Sequence, residues 1–197
     1  MKINEIFYSL QGEGRYTGTP AVFVRFSGCN LKCDFCDTQH QSGTEMTESE
    51  IIEAVCQHPS GHVVLTGGEP TLQITATLLD SLKVAGKTIH VETNGTCMLP
   101  MEILNSIDWI TVSPKFGIHP EIQRIDELKV VFDMNHLEYI DSLSEISVTN
   151  KECYYLQPCD RNDAEYNRRN LAECIGYIKK HPEWKLSVQT HKILGIR

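Results

Sequence analysis

Features that would place this chain in a membrane, outside the cell or on a nucleic acid are missing from its 197 residues. No apolar run approaches the roughly 18 residues of a membrane-spanning helix, and residues 1–5 lack the apolar segment of a signal peptide. Lysine and arginine number 18 against 26 acidic residues, a net charge of −8 that argues against a general nucleic-acid binder. We therefore expect a cytoplasmic protein with no membrane and no direct nucleic-acid partner.

Repeats, low-complexity tracts and linkers rich in glycine, proline or serine are also absent from the sequence. With 41% hydrophobic residues, a chain of this length can bury one sizeable core. We expect a single domain over residues 1–197.

Cysteine is abundant, with eight residues, although nothing in the sequence indicates secretion. That combination favours a reducing compartment and thiols used for metal binding or packing rather than for disulfides. Cys56, Cys97, Cys153 and Cys174 stand among apolar neighbours, and we predict that they are buried free thiols.

Three other cysteines, Cys29, Cys33 and Cys36, stand close together, and no fourth follows at a matching interval. A closed zinc site or an ordinary iron–sulfur cluster takes four protein ligands, so three thiolates leave one metal position open for chemistry. The C-x3-C-x2-C spacing is typical of radical S-adenosylmethionine enzymes, whose [4Fe–4S] cluster binds the cofactor at its fourth iron. A zinc site completed by His40 and a chance group of buried thiols are the alternatives.

The rest of the chain alternates short β-rich runs with stretches of helical period. Seven strands are predicted, at residues 22–26, 63–65, 89–91, 109–112, 128–132, 154–157 and 186–189. Helices are predicted from the capping-box pair Thr47 and Glu50, over 72–83 and over 163–181. Because a complete barrel needs about 250 residues, the predicted fold is α/β, an incomplete (partial) β/α barrel of six to seven mostly parallel strands. A doubly wound open sheet is the alternative.

Clusters of polar residues stand at the ends of six of these seven strands. They are Arg25 with the cysteine loop, residues 66–70, 92–95, 113–115, 157–160 and 189–191. Because the C-terminal ends of parallel strands share one face, we predict one site across that edge of the sheet. For any single cluster, polar residues that merely mark the end of a strand are the alternative.

Some of these clusters suggest specific chemistry. Gly67 and Gly68 let the backbone approach a ligand, and Glu69 can accept a hydrogen bond from an ammonium group or stand in the first turn of a helix. Ser113 and Lys115 can bind a carboxylate, unless Lys115 is an ordinary solvated lysine.

Two further positions have two interpretations each, and a third, Arg25, needs a partner. Thr38, two residues after Cys36, can offer a hydroxyl to Mg²⁺ or cap a turn. Residues 10–14 (LQGEG) can present amides to a flat heterocycle or form a hairpin turn. Arg25 lies near the end of an apolar strand, where it needs a partner such as a carboxylate.

Taken together, the motifs resemble the 7-carboxy-7-deazaguanine synthase family of radical S-adenosylmethionine enzymes, which act in queuosine precursor synthesis. The most specific parts of this nearly end-to-end resemblance are residues 9–14 (SLQGEG), 28–38 (GCNLKCDFCDT), 112–115 (VSPK) and 189–192 (QTHK). It implies a lyase that converts 6-carboxy-5,6,7,8-tetrahydropterin to 7-carboxy-7-deazaguanine with loss of ammonia. It also implies a [4Fe–4S] cluster, S-adenosylmethionine and Mg²⁺, a homodimer, and a reducing protein such as flavodoxin or ferredoxin.

The resemblance also assigns roles residue by residue. It gives the cluster to Cys29, Cys33 and Cys36, and Mg²⁺ to Thr38. It implies that S-adenosylmethionine lies along Phe35, Cys36, Asp37, Gly68, Ser113, Pro114, Lys115, Gln157, Pro158, Cys159 and Asp160. It surrounds the pterin with Leu10, Gln11, Gly12, Arg25, Thr66, His191 and Arg197. Glu13 and His191 are candidates for proton transfer, and neither is assigned as catalytic.

The tail after the last predicted strand is expected to contain no further helix, and the resemblance implies that it folds over the site. Ile193, Leu194 and Ile196 would anchor it, and Arg197 departs from the small or apolar last residue common in relatives. Two other functions remain alternatives: a glycyl-radical activase, which has the same cysteine spacing but no use for QTHK, and a zinc-binding interaction module.

Overall fold

The computed structural model describes residues 1–36 and 38–197. Within these residues, nine strands form one sheet: β1 Lys2–Leu10, β2 Pro20–Phe26, β3 Thr44–Glu45, β4 His62–Gly67, β5 Thr88–Thr93, β6 Trp109–Val112, β7 Glu127–Phe132, β8 Tyr154–Pro158 and β9 Lys185–Leu186. The described part of the chain also forms six α-helices: α1 Glu48–Cys56, α2 Ala76–Val84, α3 Met101–Ser106, α4 Leu137–Leu143, α5 Ala164–Lys180 and α6 Thr190–Leu194. None of the described helices is long and apolar enough to cross a membrane.

The strands follow the order β3-β1-β2-β4-β5-β6-β7-β8-β9 across the sheet. The seven strands β2 and β4 to β9 are parallel, and β1 runs antiparallel to both β2 and β3. Within the described residues, β3 and β9 are the two edges, so the sheet stays open. The predicted α/β fold with an incomplete, mostly parallel barrel is confirmed.

All seven predicted strands are present, and the last differs in its bounds because β9 covers only Lys185–Leu186. The prediction missed β1 because Lys2, Asn4 and Glu5 interrupt its apolar residues. It also missed β3, which is two residues long. Leu10 therefore ends a strand, and residues 11–19 connect two antiparallel strands as a long hairpin loop.

Local capping chemistry explains where the helices begin. The predicted capping box is present, since the Thr47 side chain accepts from the Glu50 amide and Glu50 accepts from the Thr47 amide. The third predicted helix, over 163–181, is present as α5, and Asp163 is its cap. The second helix begins at Ala76 rather than Leu72, because Pro70–Leu72 form a 3-10 turn and Thr75 is the cap. The short α3, α4 and α6 were missed, and α6 contradicts the expectation of a tail without a helix.

The two faces of the sheet are chemically different. On β2, Val22 and Val24 pack into the main core beneath the helices, whereas Phe23 and Arg25 point to the opposite, inner face. The inner face therefore combines a small apolar cluster with charged side chains. That alternation along single strands places functional groups inside the partial barrel.

The remaining cysteines only partly match the prediction. All eight are free thiols, and Cys153 and Cys174 are buried, as is Cys159. The prediction was wrong for Cys56, which is exposed near the end of α1, and for Cys97, which is half-buried in a loop. Beside Cys56 the apolar Val55 packs into the core, whereas Met98 beside Cys97 is itself 66% exposed.

Candidate active site

A cavity of about 660 Å³ opens at the C-terminal ends of the parallel strands. Residues from six of the predicted polar clusters line it, together with the hairpin loop and the C-terminal segment. The predicted meeting of strand ends at one edge of the sheet is therefore found in the structure. The chemistry of the cavity differs between its cysteine side and its floor.

The cysteine side is a loop after β2 whose three thiols all line the cavity. Cys29 and Cys33 are half-buried, and Cys36 is exposed. The Gly28 amide donates to the His40 carbonyl oxygen at 2.8 Å, which closes the base of the loop. Gly68 packs so tightly against this base that an added Cβ would collide with the Gly28 carbonyl oxygen.

The donor set of this loop fits an iron–sulfur cluster better than a single ion. Among the residues that the structure describes, no three His, Cys, Asp or Glu side chains are gathered around one metal position. That observation opposes a zinc ion held by the three cysteines and His40. A cluster instead takes one thiolate per iron, so its ligands stand farther apart.

Thiolates in this loop need a cationic partner. Burial, above all, raises the pKa of Cys29 and of Cys33, and the neighbouring cysteines raise it further. The Lys115 ammonium acts in the opposite direction on both. Iron ions bound to the sulfurs would supply the missing positive charge.

The floor of the cavity is a charged group in which the buried Lys129 joins the partly buried Glu13 and Glu92. Sequence reasoning singled out Glu13 and Glu92 but missed Lys129. Lys129 Nζ on β7 lies 2.6 Å from Glu13 Oε2 and 3.5 Å from Glu92 Oε1. Glu92, at the end of β5, also accepts from Gln11 Nε2 at 3.0 Å and from Thr66 Oγ1 at 3.2 Å. The available signal was a lysine in the middle of an apolar strand, where an unpaired charge would be too costly to bury.

Electrostatics keep this floor ionised. Burial opposes the charge on Lys129, but Glu13, Glu92 and Glu127 outweigh it and raise the Lys129 pKa. Burial likewise works against the charge on Glu92, yet Lys129 and hydrogen bonds from Gln11 lower its pKa to about 2. Each partner thus stabilises the charged form of the other.

The hairpin loop and the C-terminal segment meet above the floor. The Gly12 carbonyl oxygen accepts from the Thr190 amide at 3.0 Å and from its hydroxyl at 2.9 Å. His191 lies directly on Gly12, where a Cβ would collide with its imidazole ring. Gln189 Nε2 donates to Glu13 Oε1 at 2.9 Å, which links the same segment to the floor.

The tail is held by polar contacts rather than by the apolar anchors predicted. Arg197 pairs with Glu5, and its carbonyl oxygen accepts from the Ser9 hydroxyl. Ile193 and Leu194 are 75% and 62% exposed, and Ile196 is 39% exposed, so the anchoring prediction was wrong. Sequence alone could not show that the tail crosses a strand, β1, which supplies charged and hydroxyl side chains.

Comparisons with known proteins agree with this geometry. Residues 23–130 match the radical SAM superfamily. Over 196 residues the chain is 52% identical to 7-carboxy-7-deazaguanine synthase of Bacteroides thetaiotaomicron, covering 100% of this chain and 98% of the relative. The enzyme of the same name from Bradyrhizobium diazoefficiens is 38% identical, with 99% and 98% covered. This chain belongs to the 7-carboxy-7-deazaguanine synthase family.

A solved structure supports the assignment to the 7-carboxy-7-deazaguanine synthase family at the level of the fold. The crystal structure of QueE from Escherichia coli superposes with a TM-score of 0.76 at 27% identity, covering 95% of this chain and 93% of that one. The relatives favour neither a glycyl-radical activase nor a zinc-binding interaction module.

All seven residues that the family resemblance assigns to the pterin line the cavity. They are Leu10, Gln11, Gly12, Arg25, Thr66, His191 and Arg197. Arg25 has the carboxylate partner it was expected to need, because its Nε lies 2.9 Å from Glu5 Oε1. Glu5 therefore contacts Arg25 and Arg197 together.

The residues that the family resemblance assigns to S-adenosylmethionine also cluster at this edge. Phe35, Gly68, Ser113, Lys115, Gln157, Pro158, Cys159 and Asp160 line the cavity with the cysteines. Pro114 is buried beside it, and Asp37 lies outside the described residues. Thr38, the expected Mg²⁺ ligand, lines the cavity as well.

The structure decides between the two interpretations given above for Lys115 and for Glu69. Lys115 Nζ donates to Ser113 Oγ at 2.9 Å, and burial lowers the Lys115 pKa, so it is not an ordinary solvated lysine. Glu69 is fully buried and accepts from the amides of Thr71 and Asn94 and from the hydroxyls of Thr71 and Thr93. These donors favour a structural role for Glu69 as a cap over an ammonium-binding role.

Proposed function

We propose that this protein converts 6-carboxy-5,6,7,8-tetrahydropterin to 7-carboxy-7-deazaguanine with loss of ammonia, as a radical S-adenosylmethionine lyase. The observation that carries the proposal is the shared cavity: the three cysteines open into the same space as Arg25, His191 and the charged floor. The relatives that share this name span nearly the whole chain, which supports the same chemistry here.

Cys29, Cys33 and Cys36 would hold the [4Fe–4S] cluster through their thiolates. When bound, the cluster and S-adenosylmethionine would supply the radical chemistry that starts the reaction at the substrate. Ser113 and Lys115 would bind the carboxylate of the cofactor, because their hydroxyl and ammonium adjoin each other 2.9 Å apart. Gly68 lets its backbone approach the cofactor, since it carries no side chain beside the cysteine loop.

The pterin would bind between the hairpin loop, the floor and the tail. The Arg25 guanidinium suits the substrate carboxylate, because its planar fork matches two carboxylate oxygens. Leu10 and the tail segment of His191 and Arg197 would cover the ring and exclude water, which protects a radical from unwanted hydrogen donors. Gln11 and Thr66 would help to orient the ring from the floor.

Several finer features belong to the same proposal. Thr38 would bind Mg²⁺ through its hydroxyl, since this ion prefers oxygen ligands and few protein contacts. Residues 1–197 would work as one domain, paired in a homodimer, and receive electrons from flavodoxin or ferredoxin. Eight free thiols and an oxygen-sensitive cluster favour the reducing cytoplasm.

The test is anaerobic reconstitution with iron and sulfide, followed by incubation with S-adenosylmethionine, dithionite and the carboxytetrahydropterin. We expect about four iron and four sulfide per chain and formation of 7-carboxy-7-deazaguanine, measured by absorbance and mass spectrometry. Zinc in place of iron would contradict the cluster assignment. A complete cluster that cleaves S-adenosylmethionine but yields no deazaguanine would contradict the substrate.

A further inference from the structure

Lys129 occupies an unusual position for a charged residue. It stands in the middle of β7, between Leu128 and Val130, which are both fully buried in the main core. Its own side chain points to the inner face and is only 6% exposed. A buried ammonium at such a position requires partners, and its partners are two carboxylates from distant parts of the chain.

The charges around Lys129 do not cancel. Glu13 arrives from the hairpin loop and Glu92 from β5, so two negative charges face one positive charge within contact distance. The other ionisable groups that influence this site are Glu127 on β7, Lys115 after β6 and the buried His90 on β5. Lys129, Glu13 and Glu92 together therefore carry a net charge of −1.

Glu92 retains room for a further donor. Each carboxylate oxygen offers about two acceptor positions. Glu92 Oε1 accepts from Gln11 and Lys129, whereas the donor to Oε2 among the described residues is the Thr66 hydroxyl. Glu92 is thus an anionic hydrogen-bond acceptor that faces the cavity. It suits the edge of a heterocycle that carries adjacent N–H groups, such as a 2-aminopyrimidinone.

We propose that Lys129 is a positioning residue that holds Glu13 and Glu92 as a pair of carboxylates, which then bind the N–H edge of the substrate ring. This inference rests on the proposed function for the identity of the ring, but the charge state of the pair is independent of it. Without the ammonium, the two partly buried carboxylates share a proton, because like charges at close range cannot both stay ionised. A protonated carboxyl no longer accepts from the ring with the same strength.

The experiment compares wild-type protein with Lys129→Met, Lys129→Arg and the control Lys83→Met, which removes a lysine that pairs with Asp108 far from the cavity. We expect Lys129→Met to raise the KM for the pterin more than tenfold near neutral pH. We also expect the acid limb of its kcat/KM profile to move to higher pH by about one unit or more. Lys129→Arg should restore the acid limb, and Lys83→Met should match wild type.

A second measurement needs no turnover. With ¹³Cδ-labelled glutamate, NMR titration of the full chain follows the carboxyl groups of Glu13 and Glu92, assigned with Glu13→Gln and Glu92→Gln. In wild type the Glu92 carboxyl should not titrate between about pH 5 and 8, because its pKa is lowered, whereas in Lys129→Met a carboxyl of the pair should titrate there. If Lys129→Met does not fold, the double variant Lys129→Met/Glu92→Gln removes both charges, and it should fold while binding the pterin weakly.

Failure of the proposed function and failure of the role inferred for Lys129 would give different results. Absence of product from wild type would overturn the proposed function, and the NMR titration would still test the charge pair. Identical glutamate titrations in wild type and Lys129→Met would overturn the role of Lys129, even if product forms. So would a loss of kcat/KM in Lys129→Met by the same factor at every pH, since that indicates a packing role alone.

Discussion

The cysteine loop and the charged floor face each other across one cavity, yet they are organised in opposite ways. The loop's thiols lie within one short stretch of chain, are half-buried or exposed, and are not gathered around a common point. The floor joins Glu13, Glu92 and Lys129 from distant parts of the chain into one ion-paired group around the buried Lys129 ammonium. A cluster can impose order on its own ligands, whereas an organic ring has to find its partners already in place.

Of the two sides of the cavity, the cysteine side should show the larger loss of activity when it is mutated. Replacing Cys29, Cys33 or Cys36 by Ala should abolish the iron–sulfur absorption or make it unstable, and should abolish turnover with it. The physical reason is that these three thiols are the proposed ligands, and the other described thiol that lines the cavity, Cys159, follows β8 and is not on the cysteine loop. Visible absorption, iron content and product formation measure the outcome.

Two other cysteines provide matched controls. Cys56→Ala should leave absorption and stability unchanged, because this thiol is exposed. Cys174→Ala should keep the chromophore but lower the free energy of unfolding by about 1 kcal/mol, because its thiol is buried under α5. If all of these cysteines prove equally essential for the chromophore, the assignment of three ligands is wrong.

The same contrast explains what the sequence could reveal. The cysteine loop was predictable because its ligands are close along the chain, and the strands were predictable because their apolar runs are continuous. Lys129 was hidden inside such a run, since its role depends on Glu13 and Glu92, which only the fold brings near. The β1 strand was missed because polar side chains that face the cavity and the tail interrupt its apolar residues. No local sequence pattern indicates what those side chains contact.

Truncation of the tail tests whether contacts between its last residues and β1 hold the pterin side of the cavity in place. Removing Ile196 and Arg197 deletes the pairing with Glu5 and the contact with Ser9. We expect KM for the pterin to rise about 5- to 150-fold, the equivalent of roughly 1–3 kcal/mol for a lost polar contact. Steady-state kinetics measure this effect, while cluster absorption and S-adenosylmethionine binding should persist.

Arg197→Ala separates the side chain of the tail from its backbone. This variant loses the ion pair with Glu5 but keeps the oxygen that accepts from Ser9, so its KM should rise less than that of the truncated protein. Unchanged kinetics in the truncated protein would show that the tail serves the fold and not the substrate.

Acid should lower the free energy of unfolding through His90, which lies on β5 two residues before Glu92. His90 is almost completely buried, its Nε2 lies 2.7 Å from Thr111 Oγ1, and burial lowers its pKa to about 3. Below about pH 6.5 the unfolded chain takes up a proton at this position, while the folded chain does so only near pH 3. Stability is therefore lost as the pH falls, by roughly 1–2 kcal/mol near pH 5.

Chemical denaturation of the full chain between about pH 7 and 5 measures this loss. His90→Gln can keep the hydrogen bond to Thr111 without titrating, so its stability should depend less on pH than that of wild type. His119→Gln is the matched control, because His119 is exposed in the loop after β6. An equal pH dependence in His90→Gln and wild type would exclude His90 as the source.

The smallest expected effect concerns Thr38, at the border between the two sides of the cavity. Its side chain lines the cavity and makes no hydrogen bond to another described residue, and its carbonyl oxygen accepts from the Cys36 thiol at 3.6 Å. Thr38→Ala should lower turnover less than tenfold and weaken its dependence on Mg²⁺, because substrate and water can still hold the ion. Titration of Mg²⁺ into chelator-treated enzyme checks this. Thr38→Ser, which keeps the hydroxyl, should behave like wild type, and wild-type activity that ignores Mg²⁺ would remove the metal role from Thr38.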